Sequence, residues 1–417
     1  MRIAIWHTDH YPTAPGVYLG RFPAMGHEVT WVVATQGADR GVLERREGAV
    51  RIFEVRRRAD SRLPLPLRPL VTRWHKLAGL LLKARLMERL ARERPDVLQV
   101  RDLVVEGLLG RWAARRHGVR FAYQLDHPHF EGRLVDLGLG APGGPFERLE
   151  QRLWIRLRRI VLRGADLVLP ISDALADILR TREGVDPRRM VVFPVGVARA
   201  DTEWRPGDPV DPRAAALAGA PTVCYLGNLM IRREPGLIFR IFEEVGRRVP
   251  ESRFLVLAGM PQVVRDSLRG LAVADRVTFV PFVPHAEVPG LLRAASVGIY
   301  PIPVDDAFGV NRSCSPLKVF EYMAAGLPVV SSRVRDAEEA LARSGGGVSV
   351  ETDVTVFADA IEAYLRDPER ARRDGARGRA WVAAHRTFDR LALEVEAAYR
   401  RLLETGLPAA PADGGSA

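Results

Sequence analysis

SPLKVFEYMAAGLPVV, residues 315–330, is the stretch from which the rest of this chain can be read. Ser315 followed by Pro316 has the chemistry of a helix start, with serine as cap and proline as first helical residue. A short helical run follows, and the turn residues Gly326, Leu327 and Pro328 lead into a strand at Val329 and Val330. The same alternation recurs on both sides. PTVCYLG (221–227), RFLVLAG (253–259), RVTFV (276–280), VGIYP (297–301), PVVSS (328–332) and GVSV (347–350) are predicted strands, with helices between them, for example over 236–249 and 317–325. In the first half the predicted strands are 2–6, 28–34, 50–55, 97–101, 120–125, 166–170 and 191–195, with helices at 104–117 and 146–163. Several of these runs are continuously apolar, as strands buried on both faces require. The chain therefore predicts an α/β protein of two doubly wound domains facing a central cleft. The domains run over 1–198 and 221–386, joined by an Ala/Pro/Asp/Gly-rich linker at 199–220. An amphipathic helix spans 387–404, and the apolar-poor tail 405–417 is expected to be disordered.

Composition narrows the class. The 417 residues are 47% hydrophobic and 27% charged, which suits a soluble globular chain and excludes overall disorder. No run reaches the ~18 apolar residues of a membrane span. MRIAIWH at the N-terminus turns polar too soon for a signal peptide. Cys224 and Cys314 are too few for a disulfide framework or a zinc site alone, so a cytoplasmic protein is expected. The net charge of +11 is uneven: residues 1–200 carry +13 and residues 201–417 carry −2. Only the first half is thus suited to an anionic partner. Neither GxGxxG after a first strand nor GxxxxGK[ST] is present, which argues against dinucleotide oxidoreductases and P-loop NTPases.

The 315–330 segment also carries the chemistry. A helix N-terminus in a cleft is an anion site, because its backbone N–H groups and dipole both favour phosphate. Lys318 and Glu321 share a helix face; the cation suits phosphate and the carboxylate a vicinal diol. The same spacing also fits a capped core helix with one surface ion pair. Lysine usage favours the site. Of 62 basic residues only Lys76, Lys83 and Lys318 are lysine, so position 318 calls for a compact ammonium where arginine is otherwise used.

Motifs in order along the chain resemble family 4 glycosyltransferases of the two-domain Rossmann-like architecture called GT-B. PDVLQVRD (95–102) resembles the family's pDvvh strand, GADLVLPISDALADIL (164–179) its aDlvi.vS segment, and MVVFPVGV (190–197) its i.vipnGvd segment. YLGNLMIRREPG (225–236) resembles yvGrl...Kg, and VPFVPHAEVPGLLRAASVGIYP (280–301) resembles f.G.v....l..ly..adv.v.P. SPLKVFEY matches the subgroup that carries S-P-x-K-x-x-E-Y.

The resemblance implies a nucleoside-diphosphate-sugar donor bound by the second domain, transfer with retention, and a glycan or lipid-linked acceptor at the first. It implies Glu321 on the ribose hydroxyls, Leu317 N–H and Lys318 near the diphosphate, Arg233 on the leaving phosphate, and backbone at Val283 and Pro284 reading the base. Ser315, Gly227 and Asn228 complete the implied donor set, and Gly16 marks the loop after the first strand. His127, in DHPHF (126–130), matches a family histidine near donor sugar and acceptor, with Asp126 as the competing match. The chain departs from the pattern at Asn228, where arginine is usual, at Ser313, where the first glutamate of the commoner motif falls, and at Val195, where asparagine is usual. His7, Asp9, His10, His127 and His129 could approach one cleft, but their spacing matches no standard zinc motif, and no DxD is present. No metal and no cofactor beyond the sugar nucleotide are expected. The final helix is expected to pack back on the first domain.

Residues 62–94 hold nine basic residues and two glutamates among leucines. A basic amphipathic helix carrying Arg73, Trp74, Lys76, Lys83 and Arg85 suits an anionic bilayer, and 146–163 repeats the theme. Two helices packed on the sheet with solvated arginines fit the same pattern. A peripheral position on the inner face of the cell membrane, in polysaccharide or glycolipid synthesis, is the resulting expectation. A sugar-nucleotide epimerase or phosphorylase on the same architecture is an alternative, as is a basic nucleic-acid binder, although no nucleic-acid module is evident.

Overall fold

The computed structural model describes residues 1–7, 12–37, 41–58, 68–205, 208–217, 219–227, 235–259, 268–281, 283–304 and 307–407, the side chains of 36–37, 57–58, 68–78 and 235 excepted. Its first sheet contains β1 (Arg2–His7), β2 (Glu28–Gly37), β3 (Gly41–Glu47), β4 (Val50–Arg58), β5 (Val97–Arg101), β6 (Arg120–Leu125) and β7 (Leu167–Pro170) in the order β3-β4-β2-β1-β5-β6-β7. The second contains β8 (Thr222–Leu226), β9 (Arg253–Leu257), β10 (Val277–Val280), β11 (Val297–Tyr300), β12 (Val329–Ser332) and β13 (Gly347–Val350) in the order β10-β9-β8-β11-β12-β13. All pairs are parallel except the β3–β4 hairpin. Helices cover both faces of each sheet, so β5, β7, β11 and β12 are buried at every residue, as their unbroken apolar runs require.

Two strand expectations need correction. GVLERRE forms the unforeseen edge strand β3, whose charged residues face water and guard the open edge of the sheet. Residues 191–195 form no strand. Val191 N–H and Phe193 N–H donate to Val168 and Pro170 carbonyls, but Pro170 and Pro194 have no N–H to extend a ladder.

The final helix, Phe388–Thr405, lies on the first sheet, not the second. Its Leu391, Val395, Tyr399 and Leu402 are buried with Ile3, Ile5, Tyr18 and Trp31. Thr387 caps it by accepting the Arg390 N–H, and Glu396 binds His27 at 3.0 Å. Gly16 belongs to this seam. It lies in a helical turn with φ −56°, and a Cβ there would overlap the Phe388 ring. The glycine thus has a packing reason of its own; residues 8–11 lie outside the described residues, as does the expected tail beyond Leu407.

A Gly16→Val change should force the final helix off its seat and cost about 1–3 kcal/mol, as overpacking does. Urea unfolding would measure it; wild-type stability in the variant would show that the seam has slack.

Candidate functional site

In both domains the strand order reverses at the centre, between β1 and β5 and between β8 and β11. Ligands of open α/β sheets bind at the carboxyl ends of strands at such points. These two edges are held against one another. Ser172 Oγ donates to the Ser313 carbonyl at 2.6 Å, Arg182 to the Phe308 carbonyl at 3.2 Å, and Arg335 binds Asp177 at 2.6 Å.

The first-domain edge carries buried charge. Arg101, the last residue of β5, is 1% exposed. Its Nε donates to Asp126 Oδ2 at 2.7 Å, and its Nη1 contacts His7 Nε2. Gln124 donates to Asp126 Oδ1 at 2.8 Å and accepts from Gln99 at 2.9 Å. Gln99 in turn meets Tyr18 and Tyr399, so the network reaches the final helix. A buried guanidinium persists only with such complete pairing. Burial nevertheless pushes the Asp126 carboxyl up to about 6 and the Tyr18 phenol up to about 12.

Next to it Asp102 adopts φ +58°, a left-handed conformation uncommon outside glycine, asparagine and aspartate. Its Oδ1 accepts the N–H groups of Asp126 at 2.8 Å and His127 at 3.4 Å. Asp126 is therefore committed to the sheet, while the His127 ring is half-buried and meets the His129 ring edge-on at 4.7 Å. Of the two residues matched to the family histidine, His127 has the side chain that faces outward from this network. In sequence Arg101 and Asp102 read only as the end of a strand, because nothing in their spacing shows that Asp126, His7 and the His127 N–H lie across from them.

On the second-domain edge, Gly227 follows β8 with φ +150°, and a Cβ there would stand 3.7 Å from Lys318 Cε. The Leu317–Ala324 helix begins after Pro316, and no side chain caps it. The Ser315 cap is a correction: its hydroxyl donates to Asp336 and accepts the Val195 N–H at 3.3 Å, tying the domains together instead of capping the helix. Glu321 is 8% exposed and lies 3.1 Å from His285 Nδ1. Tyr322, whose part in the motif the sequence left unread, accepts the Leu226 N–H at 2.5 Å and donates to the Ile299 carbonyl at 3.3 Å. It thereby clamps β8 to β11 at the switch point, and Gly298 leaves room for its ring. Val283 is half-buried and Pro284 exposed, just before the His285–Glu287 turn.

Asn228 and Arg233 lie outside the described residues, as do Asp9, His10 and the side chains of Arg73, Trp74 and Lys76. Lys83 binds Glu106, and Arg85 is exposed. Among the described residues no group of three or more His, Cys, Asp or Glu is arranged to hold a metal ion.

Residues 18–196 match the family model described as glycosyl transferase 4-like domain, and residues 220–367 match that of glycosyl transferases group 1. A GDP-mannose-dependent alpha-(1-6)-phosphatidylinositol monomannoside mannosyltransferase of Mycolicibacterium smegmatis is 29% identical over 48% of this chain and 50% of its own length. A D-inositol 3-phosphate glycosyltransferase of Nocardia farcinica is 32% identical over 48% of this chain and 45% of its own. The chain thus spans about half the length of the curated relatives it matches. In fold, sucrose-phosphate synthase from Thermosynechococcus elongatus superposes with a TM-score of 0.73 over 97% of this chain and 99% of that one, at 20% identity.

Asp102→Ala should cost about 2–4 kcal/mol, combining two stranded N–H groups with an alanine held at positive φ. Asp102→Asn keeps an acceptor and tolerates the backbone, so it should stay within about 1 kcal/mol of wild type. Equal stabilities of the two variants in urea would count against this role.

Proposed function

Since a glycosyl transferase 4-like domain followed by a group 1 domain makes this chain a member of the GT-B glycosyltransferases, we propose that it moves a sugar from a nucleoside-diphosphate sugar to a glycan or lipid-linked acceptor. The observation that carries the reading is the cluster at the β8–β11 switch point. There one uncapped helix start presents Lys318 beside Gly227 and a nearly buried Glu321 one turn later. Glu321 receives the ribose hydroxyls. Lys318, the helix N-terminus and Arg233 meet the diphosphate, and backbone at Val283 and Pro284 meets the base. Fixed positive groups aimed at the departing diphosphate stabilise the transition state electrostatically, without a metal ion. His127, across the cleft, faces the donor sugar and the acceptor. The bond from the anomeric carbon to the diphosphate oxygen breaks as the acceptor oxygen bonds on the same face. The leaving phosphate takes the acceptor proton, so configuration is retained.

We also place the acceptor side at an anionic membrane surface, in glycolipid or polysaccharide synthesis. No helix among the described residues is long and apolar enough to cross a membrane. Support comes from three neighbouring helices on the first sheet, Arg68–Arg92, Val104–His117 and Glu147–Gly164. They leave Leu81, Trp112, Leu149, Leu153 and Ile160 exposed. Arg152 and Arg156 are exposed on the last helix, and its first acid, Glu147, is paired with Arg133 of the preceding helix. The 147–164 helix therefore suits bilayer contact better than the lysines of the 62–94 segment, of which Lys83 is paired.

Glu321→Ala should weaken sugar-nucleotide binding by ~1.5–3 kcal/mol, the worth of a hydrogen bond to a charged group. Calorimetry across GDP- and UDP-sugars, with and without chelator, would measure it. Unchanged affinity removes Glu321 from the site, and binding or transfer lost in chelator alone overturns the metal-free reading.

Arg152→Gln with Arg156→Gln should weaken binding to anionic vesicles by about 2 kcal/mol, on the order of thirtyfold, at about 1 kcal/mol per basic residue. Sedimentation with neutral vesicles should show no binding. Equal binding to both vesicle types, or no loss in the double variant, would remove the membrane from the proposal.

A further inference from the structure

His285 is not among the residues assigned to the donor site, yet it holds the key carboxylate. Its Nδ1 lies 3.1 Å from Glu321 Oε1. The two side chains come from separate elements, the turn after β10 and the second turn of the Leu317–Ala324 helix. They share a crevice whose remaining walls are Val288, Pro289, Leu292, Ala325 and Asp201. Glu321 thus sits against an apolar wall, with the imidazole as its hydrogen-bonding partner there.

The charges around the pair favour the imidazolium. The Glu321 carboxylate holds His285 above the usual histidine range, and Asp201 adds to this from the first domain crossing. Lys318 opposes it from the same helix as Glu321. Arg293 faces Asp201 from the end of the Val288–Leu292 helix.

A vicinal diol gives two O–H donors to one carboxylate and needs lone pairs on both oxygens. An imidazolium N–H directed at Oε1 takes one lone pair of that oxygen and draws charge from it, which weakens it as an acceptor for a hydroxyl. We propose that His285 is a positioning residue of the donor site, holding the Glu321 carboxylate in place while the site is empty and yielding Oε1 to the ribose hydroxyls when the donor enters. This rests on the reading of Glu321 as the ribose carboxylate.

The sign follows from linkage. While the Glu321 carboxylate is ionised, the His285–Glu321 pair is fully formed below the raised histidine pKa and fades as pH rises through it. The donor competes with the pair, so its binding strengthens over the same interval. When it binds at neutral pH, His285 loses its anionic partner and releases a proton to solvent.

Calorimetric titration of the full chain with GDP-mannose and UDP-glucose, from about pH 5.5 to about pH 8.5, tests this; their diphosphates lack the terminal monoester that titrates near pH 6. Buffers of different ionisation enthalpy count the protons. Wild type should gain affinity several-fold as pH rises and release a proton on binding. His285→Gln, at a partly exposed position, should bind with little pH dependence and little proton release. If His285→Gln keeps the wild-type slope and proton release while Glu321→Gln loses binding, the positioning role is overturned and the donor site stands. If a folded Glu321→Gln protein binds as wild type does, the donor-site reading falls and this inference with it.

Discussion

The parallel bridge between Val197 and Thr387 is the constraint on which the two-domain arrangement depends. The chain leaves the first domain at Val197 and returns to it at Thr387, and the two passages bond to each other. Val197 N–H donates to the Arg386 carbonyl at 2.9 Å, and Phe388 N–H to the Val197 carbonyl at 3.0 Å. Gly196 admits this approach, since a Cβ there would stand 2.6 Å from the Arg386 carbonyl oxygen. Thr13 secures the same point by donating to the Gly196 carbonyl at 3.2 Å and accepting its N–H at 3.1 Å. Arg386 binds Asp336, and Asp336 accepts from Ser315. The residue that opens the SPLK segment is therefore wired into the domain junction, and the Leu317–Ala324 helix is positioned by the same contacts that set the domains against each other.

Buried charge distinguishes the first domain. Arg101 is enclosed by Asp126 and Asp102, and Arg158 by Glu131 and Glu183. Removing either partner from such a group strands an uncompensated ion, so these clusters constrain geometry more than they add stability. They are arginine clusters for a physical reason. A planar guanidinium can serve two carboxylates at fixed angles, which an ammonium cannot do as rigidly. The contrast gives Lys318 its meaning in a chain where arginine is the default cation. It stands beside Gly227, just after β8, and gives the start of the Leu317–Ala324 helix a compact charge on a flexible stem.

Sequence alone determined the α/β class, the two sheets and most strands, because runs such as Val97–Arg101 and Leu167–Pro170 are apolar for the same reason they are buried. It also singled out Lys318 and Glu321, whose spacing on one helix is a local property. Only the tertiary structure decided the partners. Ser315 has the residue type of a cap, but Asp336 and the Val195 N–H compete for its hydroxyl from distant parts of the chain. Gly16 reads as a loop glycine until Phe388, more than three hundred residues later, fills the space beside it. His285 and Asp102 carry no signal in spacing or periodicity, because their roles come from contacts between separate elements. Local pattern reports which face of an element is buried. Which group lies across that face depends on chain crossings that no single window of sequence contains.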